Sequence, residues 1–393
     1  MRVLHVGKYY PPYAGGMENF LGDLLPALER RGVRTGALVH NHRGGWERGE
    51  DRPGEPWLLR VPTRGTLLYA PVSPAFPRAL RQSLREFRPD LLHCHMPNTS
   101  VFWALGIAAA GRIPWIVHWH ADVVASRIDR RMRLAYPLYR VPERRVLRRA
   151  RAVVASSPPY LDSSGPLRPW KAKCRVVPLG LDPGRLKPPA AGALQEAERT
   201  WGGTDGLRVL SVGRLTYYKG HDVLVRAAAR VPAVRAVIVG TGSEEPGLRR
   251  LIARQGVPER VALVGLLPHD ALNAMLATCD VLCLASKERT EAFGLVLLEA
   301  MRYERPVVAG AIPGSGVGWV VEDGKTGFLV EPGDDEALAG ALARMAADPD
   351  RRRAMGRAAG RRFFERFHID WIAEAMTALY TDVLGAGGWP RSL

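Results

Sequence analysis

Cysteine is scarce: Cys94, Cys174, Cys279 and Cys283 are the only four in 393 residues, and no C-x-x-C pair is present. That excludes a disulfide framework and a cysteine-built zinc site, and it points to a reduced, cytosolic protein. Cys279 and Cys283 border an apolar run and read as core. Long apolar runs are also missing. The longest, residues 101–111, stops at Arg112, whereas crossing a bilayer takes about 20 residues. The opening RVLHVGKYYPP has no apolar core of a signal peptide, so any membrane contact is expected to be peripheral. Negative charge is in short supply, 39 Asp+Glu against 56 Lys+Arg, a net charge of +17. Such a surplus asks for an anionic partner: nucleic acid, anionic lipid or a phosphorylated substrate. No helix-turn-helix, zinc finger or aromatic RNA-binding signature accompanies it, so a nucleic-acid partner is not expected. No G-x-G-x-x-G follows the first strand of either half, which disfavours a dinucleotide dehydrogenase. No repeat of solenoid period is found.

What is present is globular. Hydrophobic residues make up 47% and charged residues 24%, which is ample for a core, and the length suits two domains. Two segments each open an α/β pattern. RVLHV at 2–6 leads through a Gly/Pro-rich loop to a helix pattern over 17–31; LRVLSV at 207–212 leads through Gly213-Arg214 to one over 219–230. Further strands are predicted at 35–39, 91–95, 115–118, 152–155 and 175–177, then at 236–239, 261–264, 281–285, 306–309 and 327–330. Strands alternating with helices predict parallel sheets covered on both faces. The Pro/Gly-rich stretch 183–206 is expected to be a linker, 341–384 to be helical, and GAGGWPRSL at 385–393 to be a loose tail. Sheets of this kind bind ligands at the carboxyl ends of their strands, so the chemistry is expected in the loops there.

Four loops carry candidates. In GKYYPPYAGGMEN, Gly15-Gly16 precedes a helix start with Glu18 in its first turn; the pair suits either close approach of backbone N–H groups to an anion or a plain tight turn. In SVGRLTYYKGHD, Gly213, Arg214 and Lys219 follow a strand. The Arg fork and the Lys point charge either close on one diphosphate or form a solvated basic turn. In SKERTEAFGLVLLEAM, Glu291 falls in the loop and Glu299 in the helix that follows, with Phe293-Gly294-Leu295 between them. Backbone N–H groups at such a helix start suit a phosphate. Two carboxylates at this spacing suit hydroxyl pairs, one from a sugar and one from a ribose. The apolar LVLLEAM around Glu299 argues against a surface position, because a buried carboxylate needs partners. In WIVHWHADV, His118, His120 and Asp122 come at a strand end, the two histidines on one side. Two readings of this loop are a histidine metal pair, for which no third ligand is evident nearby, and Asp122 as a covalent nucleophile.

EAFGLVLLEAM at 291–301 resembles, without a gap, the E-x7-E motif of retaining glycosyltransferases with the GT-B fold, in particular glycosyltransferase family 4. Gly15-Gly16, Gly213-Arg214 with Lys219-Gly220, Gly240-Thr241-Gly242 and DGKTGF at 323–328 resemble further elements of that family, in order, so the resemblance spans nearly the whole chain. It implies two Rossmann-like, doubly wound α/β domains facing across a cleft. Residues 1–184 would bind acceptor, 185–369 nucleotide-sugar, and 370–393 would form a helix returning to the first domain. It further implies that Glu299 binds ribose hydroxyls, Glu291 holds donor-sugar hydroxyls, and Arg214 and Lys219 neutralise the diphosphate. Backbone groups of Phe293, Gly294 and Leu295 would contact sugar and phosphate, with Gly15, Gly16 and Gly213 beside the donor. His120 would stand near the reaction centre, with His118 as second choice. The implied reaction is hexosyl transfer with retention by front-face attack, using no metal and no cofactor; the nucleotide-sugar is a substrate. PGSG at 313–316 and HWHAD resemble bacterial mannosyl- and rhamnosyltransferases of the family, which favours a GDP-hexose such as GDP-mannose over a UDP-hexose. Tyr303-Glu304-Arg305 departs from the family, where a small residue and Gly are common, and puts the loop geometry there in question. Rival readings are a sugar epimerase or phosphorylase on the same fold, and a non-catalytic polyanion-binding protein.

Residues 127–151 hold ten Arg against Asp129 and Glu143, interleaved with Leu134, Tyr136, Leu138 and Tyr139. Such a stretch suits an anionic membrane surface or a solvated helix face. With the resemblance it implies polysaccharide or glycolipid assembly on a polyprenyl-diphosphate-linked or other lipid-linked saccharide, in the cytoplasm at the inner face of the cell membrane.

Overall fold

The computed structural model describes residues 1–49, 52–67, 70–123, 130–203 and 205–385. The start of the basic stretch, 127–129, and all but the first residue of the expected tail lie outside the described residues. The chain divides into two compact units, Met1–Gly180 with Ile369–Leu393, and Leu181–His368.

The first unit runs β1 (Arg2–Val6), α1 (Gly16–Arg30), β2 (Arg34–Asn41), β3 (Glu47–Arg48), β4 (Trp57–Pro62), β5 (Thr66–Leu67), β6 (Ala70–Pro71), α2 (Phe76–Phe87), β7 (Leu91–Met96), α3 (Ala108–Gly111), β8 (Trp115–Trp119), α4 (Arg130–Arg149), β9 (Ala152–Ala155), α5 (Pro158–Ser163) and β10 (Cys174–Val176). Its eight-stranded sheet has the order β10-β9-β8-β7-β1-β2-β4-β3, with only β3 antiparallel to its neighbour. The central strands are buried end to end, as helices on both faces require. The register sets His5 opposite His93 and His95 opposite His118.

The second unit runs α6 (Ala191–Trp201), β11 (Leu207–Val212), α7 (His221–Arg230), β12 (Val234–Val239), α8 (Glu245–Arg254), β13 (Val261–Leu263), α9 (His269–Thr278), β14 (Val281–Leu284), α10 (Leu295–Arg302), β15 (Val307–Gly310), α11 (Val317–Val320), β16 (Gly327–Val330), α12 (Asp335–Ala347) and α13 (Pro349–Arg366). Its six parallel strands follow the order β13-β12-β11-β14-β15-β16. In both sheets the winding reverses beside the first strand, at β1/β7 and at β11/β14, the place where open α/β sheets bind ligands.

The last helix, α14 (Ile369–Gly385), belongs to the first unit and packs on α1. Its buried Tyr380 joins His93 Nδ1 at 2.7 Å. The exposed pairs Arg30–Asp370 and Arg31–Glu374 add little beside that burial.

One expectation is corrected. Residues 183–206 are not merely a linker: α6 occupies half of them, burying Ala197 and Trp201 four residues apart and closing on left-handed Gly202. Trp201 Nε1 donates to Thr278 of α9 at 2.9 Å, so the segment is integral to the second unit. Residues 341–384 are helical as expected, divided among α12, α13 and α14; Asp334 and Asp348 cap the first two, their side chains accepting backbone N–H groups. β4 was unpredicted, although WLLRVP is buried for most of its length. At the family departure, Glu304 adopts a left-handed φ of 55°. Its backbone and side chain press on Gly356 and Gly360 of α13, where any Cβ would collide.

Candidate active site

The adjacent carboxyl ends of β11 and β14 carry the first group of candidates. After β11 the chain makes a short turn ending at Lys219, and Gly220 follows with φ 68°. A Cβ at Gly220 would run into the carbonyl oxygen of Ala285, so only glycine lets this loop seat against the loop after β14. That seating brings Lys219 Nζ to 2.6 Å from Glu291 Oε2, and Ser286 Oγ donates to the same oxygen at 2.9 Å. The two charged side chains are only 13% and 10% exposed. Burial opposes the ammonium charge, but the Glu291 carboxylate outweighs it and holds Lys219 above its ordinary pKa. Ser315 Oγ donates to the Glu291 carbonyl, and Gly316 N–H to that of Ala292 at 2.8 Å, tying the loop after β15 to the same place. Gly213 lies against the Lys219 side chain, and an Arg214 N–H reaches the Tyr218 hydroxyl at 3.4 Å.

Gly294, at φ 78°, begins α10, and no side chain caps it. The N–H groups of Leu295 and Val296 therefore have no acceptor within the helix and are available to an anion. One turn further, Glu299 is buried, and its Oε1 accepts two N–H groups of Arg185 at 3.3 Å each. Glu291, Lys219, Gly213 and Arg214 thus meet at one strand end, and Glu299 lies one turn into the helix that follows Glu291. The Phe293 ring instead packs edge-on against Phe367 at 6.0 Å, leaving only its backbone for a ligand. Sequence reasoning missed Arg185, Ser286 and Ser315. Arg185 fell in the supposed linker, where no pattern marks it.

In the first unit Gly15 is extended and Gly16 opens α1, with the Glu18 carboxylate folded back over the spot a Gly15 side chain would fill. His118 and His120 stack with ring centroids 4.3 Å apart and planes 4° from parallel. They are not alone, which corrects the expectation of no third nitrogen nearby. His5, His93 and His95 join them, all buried. The missed signal is HCH at 93–95, spaced like HWH at 118–120. Burial pushes His5 and His120 down to about 3 and the other three well below the ordinary imidazole value, so the group is neutral near pH 7.

Nitrogens of His5, His93 and His95, and of His95, His118 and His120, lie close enough to share a metal. A metal needs in-plane lone pairs that converge. Here His118 lies face-on over His120 and 16° from the plane of His95, so its lone pairs run alongside theirs. Asp122 Oδ1 already accepts Trp119 Nε1 and Ser164 Oγ, both at 2.7 Å, and its own N–H meets the Tyr160 hydroxyl. Asp122 thus anchors the loop after β8 through Oδ1 and its own N–H.

Residues 15–180 match the family described as "Glycosyl transferase 4-like domain", and residues 200–362 the one described as "Glycosyl transferases group 1". The chain is 30% identical over 393 residues to O-antigen chain mannosyltransferase C of Escherichia coli, covering 98% of this chain and 99% of that one. The chain belongs to the group 1 glycosyltransferases. D-rhamnosyltransferase WbpZ of Pseudomonas aeruginosa is 28% identical over 371 residues, 93% of this chain and 92% of its own. Among solved structures, sucrose-phosphate synthase of Thermosynechococcus elongatus superposes with a TM-score of 0.78 at 24% identity, over 98% and 100% of the two chains. Anabaena HepE in complex with UDP gives 0.74 at 22% identity, over 97% and 100%. These likenesses show the GT-B fold. In this glycosyltransferase Gly213, Arg214, Lys219, Glu291 and Glu299 lie in the segment that matches the group 1 family, and His118 and His120 in the 4-like segment.

Proposed function

We propose that this protein is a retaining hexosyltransferase that moves mannose or a related sugar from a GDP-hexose to a lipid-linked saccharide in polysaccharide or glycolipid assembly. The observation that carries the reading is the buried Lys219–Glu291 pair beside the uncapped start of α10, with Glu299 one turn into that helix. An anion at the helix start meets free N–H groups, and Lys219 keeps N–H donors for it beyond the one directed at Glu291. Arg214 adds a second cation. These groups supply positive charge where the leaving diphosphate gains negative charge, so no metal is needed for that purpose. Glu291 takes sugar hydroxyls and Glu299, oriented by Arg185, takes ribose hydroxyls. The acceptor oxygen bonds to the anomeric carbon on the face from which the phosphate oxygen departs. Its proton goes to that phosphate oxygen, leaving a nucleoside diphosphate and a glycoside of unchanged configuration. His120, in the segment that matches the 4-like family, keeps the role near the reaction centre that the resemblance implies. The names of the mannosyl- and rhamnosyltransferase relatives favour mannose or a related hexose.

The surface of α4 supports this reading of the acceptor and the location. Leu134 and Leu138 are each 78% exposed and Val141 51%, an apolar stripe along one helix face. Arg144, Arg145 and Arg148 are exposed on the same helix, and exposed Trp103 lies in the segment packed beside it. This combination suits docking on an anionic membrane, on its cytoplasmic face. Among the described residues no helix is long and apolar enough to cross a membrane.

The test is a donor screen in EDTA: UDP- and GDP-hexoses are mixed with the protein and the free nucleotide released is recorded, with and without lipid-linked saccharide. Release from a GDP-hexose that Glu291→Gln abolishes supports the reading. Release confined to UDP-hexoses overturns the donor assignment, and strict dependence on added divalent metal overturns the metal-free mechanism.

A further inference from the structure

The loops after β1 and β2 carry an aromatic stack that the chemistry above does not use. The two strands are parallel neighbours, so their carboxyl ends lie side by side, at the end of the sheet where ligands bind. Tyr9 and Tyr13 follow β1, and His40 and His42 come at the end of β2.

The stack is built from the inside outward. His40 is fixed through both ring nitrogens: Nδ1 meets the Lys8 carbonyl at 2.7 Å and Nε2 the Ser100 hydroxyl at 2.9 Å. Its ring stacks on buried Phe76 at 4.9 Å, and buried Tyr9 meets it edge to face at 5.8 Å. Tyr13 stacks on Tyr9, with centroids 4.2 Å apart and planes 20° from parallel. The last ring, His42, stands at 65° to Tyr13 and 5.3 Å away, so the two form a corner. The backbone that bears Tyr13 is held as well. The Pro11 ring seats on α1 at Gly22, where a Cβ would come within 2.6 Å of it. Arg60 Nη2 donates to the Pro11 carbonyl, and the Tyr13 N–H donates to that of Tyr10 at 3.2 Å.

Tyr13 is nevertheless 36% exposed, and His42 is exposed too. Among the described residues neither meets a further ring. An aromatic side chain whose rotamer is set by packing offers contact area to a ligand at little cost in entropy. The chemistry of the corner selects the occupant. An aromatic face carries partial negative charge and attracts partly positive C–H groups. A pyranose ring has a face of C–H groups to lie on Tyr13 and a rim of hydroxyls for the Tyr13 hydroxyl and for His42. Burial, with the cations Arg43 and Arg60 beside it, keeps the His42 imidazole below its ordinary pKa. It is therefore neutral near pH 7, with one donor and one acceptor for such a hydroxyl. A lipid chain is a poorer match, because exposed Arg43 and Glu47 flank His42. A nucleobase also stacks on tyrosine, but the proposed function gives the nucleotide to the second unit and leaves the saccharide for this one.

We propose that Tyr13 and His42 form a saccharide subsite in which a pyranose ring of the acceptor lies on Tyr13 and one of its hydroxyls bonds to His42. Tyr9, His40 and Phe76 are the packing that holds this corner in place. The inference rests on the reading of the acceptor as a lipid-linked saccharide.

The test is saturation-transfer NMR on the full-length protein with the methyl glycosides of mannose, glucose, galactose and N-acetylglucosamine, followed by titration of the one that receives the strongest transfer. Transfer is expected to be greatest at the C–H protons of one ring face. Tyr13→Leu keeps an apolar side chain on Tyr9 but has no ring, and is expected to weaken binding on the order of tenfold, the size of one stacking contact. Tyr13→Phe is expected to keep the transfer pattern, and His42→Ala to weaken binding several-fold. GDP affinity and sedimentation with phosphatidylglycerol vesicles are expected to stay unchanged in all three variants. No transfer to any glycoside in the wild type, or equal binding in Tyr13→Leu, overturns the proposal. So does a loss of GDP affinity or of vesicle binding in Tyr13→Leu, which would make the corner a base platform or a membrane anchor. Should Tyr13→Leu not fold, His42→Ala decides in its place. Glycoside binding that Tyr13→Leu removes, together with no nucleotide release from any donor, would overturn the transferase reading and leave the subsite standing.

Discussion

Lys219 Nζ lies 2.6 Å from Glu291 Oε2 across 72 residues of sequence, and both side chains are nearly buried. On the proposed function the pair fixes the Lys219 cation beside the diphosphate. Removing one partner strands the other charge in a dry setting, which typically costs about 3–5 kcal/mol. Lys219→Met and Glu291→Gln are each expected to abolish transfer. In chemical denaturation Lys219→Met should be far less stable than the double variant, because the double variant leaves no buried charge. Additive losses would show that the two side chains do not interact.

The buried group of five histidines makes the first unit sensitive to acid. Unfolded, these imidazoles protonate near 6.5; folded, His5 and His120 do so only at about 3, because burial disfavours the charge. Below pH 6.5 the unfolded state therefore binds more protons, and stability falls as pH falls. Each such group contributes about 1.4 kcal/mol per pH unit in that window. Urea midpoints measured from pH 7.5 to 5 should be level above 6.5 and drop steeply below it. A flat profile would contradict the buried, neutral state of these histidines.

Glu143 has the opposite sign. Burial, with the charge of Asp122, pushes its carboxyl from 4.5 up to about 7 against the pull of Arg140, 3.9 Å away. The unfolded state ionises first, so this group lowers stability as pH rises from 4.5 to 7 and holds the full penalty above, on the order of 3 kcal/mol. Glu143→Gln is expected to raise the melting temperature at pH 8 and to leave it unchanged at pH 4. An equal effect at both values would remove the assigned cause.

The exposed stripe on α4 predicts membrane binding with two separable parts. Leu134→Ser with Leu138→Ser should weaken co-sedimentation with vesicles containing phosphatidylglycerol at every salt concentration. Arg144→Glu with Arg145→Glu should weaken it mainly at low salt. Binding that neither pair alters would place the docking surface elsewhere.

Much of the fold was legible because parallel strands are buried on both faces and read as short apolar runs: β1, β9, β11 and β16 match their predicted spans. The misses have local causes. α6 hid between Pro- and Gly-rich ends, and its apolar side is only two residues, Ala197 and Trp201. In the second unit, Glu291 and Glu299 stood out as carboxylates in apolar surroundings. Arg185 and Ser286 did not, because their roles depend on partners 114 and 5 residues away that only folding brings near. His5 was invisible for the same reason: one histidine in a strand carries no signal until the register sets it opposite His93.

The central claim is that the start of α10 and the residues around it hold a nucleoside diphosphate. Calorimetric titration of GDP into wild-type protein and Glu299→Gln tests it most directly. The account predicts one site per chain in the wild type and affinity at least about tenfold weaker in Glu299→Gln, with both proteins folded. Equal affinity in the two, or no binding of GDP to the wild type, would contradict it.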